Sequence, residues 1–61
     1  MKSIQKLRGE VGSTYREVVA AEAFLRLGST PDLEDAFDRL MAAHLAAIEA
    51  LEDRICARAT P

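Results

Sequence analysis

The chain is short of most things that staple or cut up a small fold. It has one cysteine, Cys56, so no disulfide can form within the chain. It has no tryptophan, and Tyr15, Phe24 and Phe37 are its only aromatic residues. Glycine appears three times and proline twice, which is too little punctuation for a β-rich chain with many turns. β-Branched residues are few and scattered. No apolar run is long enough to span a membrane, and the start of the chain has no apolar signal-peptide core. A lone thiol suits a reducing compartment, so a cytoplasmic location is expected, with Cys56 an inert helical residue.

Size then becomes the constraint. At 61 residues the chain is one domain at most. A domain of this length buries only about 60% of the surface its unfolded form exposes. Ordering costs about 1.5 kcal/mol per residue, so small scaffolds usually need a staple. Disulfides are excluded, and no cluster of metal ligands is visible. Oligomerisation remains.

What the chain does have is helix-forming, globular composition: 49% hydrophobic, much of it alanine, and 30% charged. The middle carries the punctuation. Gly28 after Leu27 suits a helix C-cap with positive φ. Thr30 is placed as the N-cap of a second helix, with Pro31 at its first position and Asp32, Glu34 and Asp35 near the positive end of its dipole. Arg54 and Arg58 favour the negative end before Pro61. The expected elements are a helix over about 3–27, a turn at 28–30 and a helix over about 31–58, all in one domain covering 1–61.

Two apolar stripes support this. Ile4, Leu7, Val11, Thr14, Val18, Ala21 and Leu25 alternate spacings of three and four, and Leu33, Phe37, Met41, His44, Ile48, Leu51 and Ile55 do much the same. Folding back at the turn pairs Leu25 with Leu33, Ala21 with Phe37, Val18 with Met41, Thr14 with His44, Val11 with Ile48, Leu7 with Leu51 and Ile4 with Ile55. The residue numbers in every layer add to 58 or 59, as equal rise on two antiparallel helices requires. Each stripe's one polar member falls in the same layer. The expected fold is therefore all-α, a two-helix antiparallel hairpin, dimerising into a four-helix bundle. Val11, Thr14, Val18, Phe37, Met41, His44, Ile48 and Leu51 are the candidate core and dimer residues.

Two details qualify the first helix. Gly9 and Gly12 each cost about 1 kcal/mol relative to alanine, and Thr14 to Glu17 has the form of a capping box that could start a helix at Thr14. The layers reach Ile4, which favours one continuous helix with a weak point. Gly9, Gly12 and Ser13 could instead be small because another helix passes close. The seam also leaves apolar residues over, among them Val19, Ala20, Phe24 and Leu27 on the first helix and Ala36, Leu40, Ala43, Leu45, Ala47 and Ala50 on the second. Exposed contiguous apolar surface marks interaction sites, and a C2 dimer is the commonest closed solution.

Chemistry finds no players. His44 lies on the apolar stripe, and its neighbours at three and four positions are Leu40, Met41, Ala47 and Ile48, so no second metal ligand accompanies it. The expected role is a core polar residue hydrogen-bonded to Thr14 or Tyr15. Glu22 is expected to pair with Arg26 one turn on. No paired carboxylates, no nucleophile with a placed base and no phosphate-cradling glycine loop are present. The chain is expected not to be an enzyme, with no catalytic residue, no metal and no cofactor.

The function expected is a small non-enzymatic interaction and dimerisation module, regulatory or adaptor in kind, offering Phe24 and Leu27 to a protein partner. The net charge is −2, and positive charge gathers in the first half of the chain. Lys2, Lys6 and Arg16, with Phe24, make a basic face that could meet RNA or DNA phosphates, the second reading. In length, helix count and layer pattern the hairpin resembles the ROP family of four-helix bundles. That resemblance implies a dimer binding paired RNA loops through its first helices, and it carries over no residue. A third reading is a structural subunit of a larger helical assembly.

Overall fold

Ser3 sets the first helix boundary. Its backbone is extended, and its Oγ accepts a hydrogen bond from the Lys6 amide at 3.1 Å, satisfying one of the open donors of the first turn. The computed structural model describes the backbone of residues 2–59 and the side chains of residues 2–57. Within it α1 runs from Ile4 to Leu27 without a break. The alternative start at Thr14 is not used. Instead the Thr14 hydroxyl reaches back to the carbonyls of Glu10 and Val11, at 3.0 and 3.1 Å, as threonine does inside a helix. Seam contacts on both sides of Gly9 and Gly12 hold this stretch helical. A Cβ at either glycine would meet nothing within 4 Å, so no close approach within the chain explains their small size.

At the turn, the Gly28 amide donates to the Phe24 carbonyl at 3.2 Å. Gly28 does not take the left-handed cap expected of it. Its φ of 174° and ψ of 117° are extended backbone, so the chain leaves the helix directly. Thr30 caps the second helix as expected, its Oγ1 accepting from the Leu33 amide at 3.2 Å and its carbonyl from the Glu34 amide at 2.9 Å. Ser29 Oγ donates to Glu34 Oε1 at 2.6 Å, tying the turn to the first turn of α2. Helix α2 runs from Pro31 to Ala59, with Asp32 and Glu34 at its positive end. The expected placement of Arg58 and Pro61 at the far end lies outside the described side chains and residues, respectively.

The two helices lie antiparallel against each other in a rod of 49 × 15 × 15 Å. All the described residues are helix or connecting coil, with no strand. Thr14 and His44 touch across the pair at 2.7 Å, which sets the register. Every seam residue is buried or half-buried except Ile55, at 48% exposure. Yet among the described residues only Leu7 and Val18 are buried, at 6% and 9% exposed, and none of their large side chains is fully enclosed. Each contributes about 1.5–3 kcal/mol by leaving water. A single helix–helix interface has one wet side on each flank, and that limits the depth of the core.

Candidate interaction surfaces

The polar layer is the most closely connected part of the seam. His44 Nδ1 lies 2.7 Å from Thr14 Oγ1, and the Tyr15 ring sits beside the imidazole with centroids 5.9 Å apart and planes tilted by 48°. The threonine hydroxyl has a single proton. Donating it to the Glu10 and Val11 carbonyls leaves a lone pair to accept from Nδ1–H. That is the assignment in which all three contacts are hydrogen bonds. The layer is thus a satisfied polar contact in an otherwise apolar seam.

Helix α2 carries a second stripe, made of residues that the seam leaves over. Ala36, Leu40, Ala43, Ala47, Ala50, Arg54 and Ala57 again alternate spacings of four and three. Six of the seven stand one residue before a seam residue, so at about 100° per residue the stripe faces a quarter turn away from α1. An open groove lies between it and α1, lined by Leu7, Glu10, Thr14, Ala43, Ala47 and Ala50. The groove continues between Lys2 and Asp53 to Arg54 and Ala57. Arg54 is half-buried there, and its Nε is shielded from solvent with no hydrogen-bond partner. Nothing in the described part of the chain covers this face. The signal that could have found it is the one that found the seam, a spacing of three and four.

The opposite flank is apolar in patches. Tyr15, Val19 and Leu45 are 57%, 47% and 53% exposed. Below them Glu22 and Arg26 form the expected ion pair at 2.7 Å. At the turn end Phe24 and Leu27 stand out at 61% and 86% exposure. The remaining sequence-derived core residues, Val11, Phe37, Met41, Ile48 and Leu51, are half-buried in the seam.

Of the basic residues, Lys6 and Arg16 are exposed, while Lys2 Nζ is engaged by Glu10 Oε1 at 2.7 Å across two turns of α1. Glu10 and Glu17 interleave with these cations on the same helix. Among the described residues no group of three or more His, Cys, Asp or Glu side chains gathers as metal ligands would, and no helix is long and apolar enough to cross a membrane.

Comparison with family models, curated proteins and solved structures finds no match.

Proposed function

We propose that this chain is a self-associating helical hairpin that serves as a non-enzymatic protein-interaction module, regulatory or adaptor in kind. One observation carries the reading, the amount of surface left uncovered. The chain exposes 4806 Å². A folded monomer of 6.7 kDa ordinarily exposes about 3,900 Å² by the scaling of surface with mass. The difference is about 900 Å², close to the roughly 800 Å² that each partner contributes to an interface of standard size. Much of the uncovered surface is apolar, on both flanks of the hairpin and at its turn. In this reading one face is covered by association, and Phe24 and Leu27 at the turn end stay available to a protein partner.

The test is absolute mass by light scattering after size exclusion, over a dilution series, with helicity followed in parallel. A helical dimer that loses both mass and helicity on dilution supports the reading. A chain that is fully helical and monomeric at every concentration overturns it.

A further inference from the structure

The α2 stripe has an occupant written into its charges. We propose that a second copy of this chain docks on it antiparallel, α2 against α2, about a two-fold axis passing beside Ala46. This rests on the self-association proposed above and names its face and register.

Arg39, Ala46 and Asp53 flank the stripe, one residue before Leu40, Ala47 and Arg54, and Ala46 and Asp53 also line the groove. Arg39 and Asp53 stand seven residues either side of Ala46. Antiparallel pairing about Ala46 therefore sets Arg39 opposite Asp53 of the second copy, and the same contact repeats on the other side of the axis. Both residues are exposed, and neither forms an ion pair within the described part of the hairpin. A parallel pairing would set Arg39 on Arg39 and Asp53 on Asp53.

The same axis makes a second, independent match on α1. By the register that joins Thr14 to His44, Ala46 lies level with Gly12. Rotation about that level brings Lys6 of one copy to within one residue of Glu17 of the other. At about 100° per residue both fall on the same side of α1 as Glu10, which lines the groove. The axis that pairs Arg39 with Asp53 lies within half a residue of the midpoint of the Ala36-to-Ala57 stripe, and it brings Lys6 and Glu17 together as well. Between them Ala43 comes within one residue of Ala50 of the second copy, and small side chains there let the backbones approach closely.

The quarter-turn offset between seam and stripe is what a four-helix bundle needs, since each helix packs on two neighbours at about right angles. The area also suffices, because the uncovered surface matches one partner's share of a standard interface.

The test uses the full chain and three variants. The double substitution A43E/A50E places charge on exposed stripe positions with a strong helix former, so the hairpin should stay helical by circular dichroism. It is expected to be monomeric at concentrations where the parent is a dimer. R39D and D53R should each weaken the dimer by about tenfold or more, through like charges at both symmetric contacts. Mixed in equal amounts, the two self-repelling chains should associate as a heterodimer. The carboxylate introduced by R39D then meets the guanidinium introduced by D53R, and on the other side of the axis the unchanged Arg39 meets the unchanged Asp53. Native mass spectrometry reads the mixture. An A43E/A50E chain that dimerises like the parent would show self-association through another face and overturn this inference alone. A mixture that stays monomeric would overturn the register. A parent that never dimerises would sink the self-association reading itself.

Discussion

Thr14 and His44, thirty positions apart, meet at 2.7 Å and make the one polar layer in a seam of apolar ones. The contact joins the midpoints of two helices whose other layers could slide by a turn with less penalty. A shift would leave a hydroxyl and an imidazole facing aliphatic groups, and an unsatisfied buried polar group costs about 1–3 kcal/mol. The layer therefore specifies register more than it adds stability, a role known for single polar positions in coiled coils.

That geometry has a spectroscopic consequence. Neutral His44 should carry its proton on Nδ1, because Thr14 spends its own on the carbonyls of α1. Nitrogen-15 correlation spectra of the imidazole distinguish the two tautomers directly. In the same layer, Thr14→Val and His44→Leu should each destabilise the fold, by about 1 kcal/mol. The double variant should be more stable than the two losses together imply. A double-mutant cycle by chemical denaturation measures the coupling, and an additive result would deny the bond any energetic role.

Gly9 and Gly12 sit in the middle of α1 with open space where a Cβ would be. Alanine at each should raise stability by about 1 kcal/mol, through helix propensity and a less flexible unfolded chain. Thermal melts followed by circular dichroism check this. Loss of stability in either variant would mean that something outside the hairpin packs on that side of the helix.

Thr30 holds the start of α2 through the Leu33 amide. Thr30→Ala should cost about 1 kcal/mol, and Thr30→Ser or Thr30→Asp should recover most of it. Hydrogen exchange at the amides of the first α2 turn should quicken in the alanine variant alone.

Two leucines test how thin the core is. Leu7, 6% exposed, should cost about 2–3 kcal/mol on truncation to alanine, enough to unfold much of a chain this small. Leu27, 86% exposed, should cost no more than about 0.5 kcal/mol. Urea midpoints compare the two. Equal losses would mean that Leu27 is covered in solution.

Much of the hairpin is legible in the sequence because its signals are local or periodic. Thr30, Pro31 and the acidic residues after them announce a helix start through chemistry confined to one turn. The stripes announce two helices and their register, since antiparallel layers must add to a constant. Other features are harder to read. Ser3 is a capping residue type three positions before the amide that donates to it, but no capping box or proline beside it marks the boundary. Gly28 takes no left-handed conformation, because the path of the chain into Thr30, rather than residue type, sets its dihedral angles. The Lys2–Glu10 ion pair spans two turns, beyond the spacing that helical neighbours suggest.

By itself, the sequence determined that the chain is helical, where it turns and which residues share a layer. These follow from propensity, capping and a repeat matched to the helical turn, all of which act along the chain. Only the tertiary structure decided how deeply each side chain is covered. It buries Leu7 and Val18 more than the other seam residues, leaves Ile55 half in water, shields the Arg54 Nε and leaves the Ala36-to-Ala57 stripe without a cover. Burial depends on what lies opposite a side chain, and a linear repeat does not contain that information.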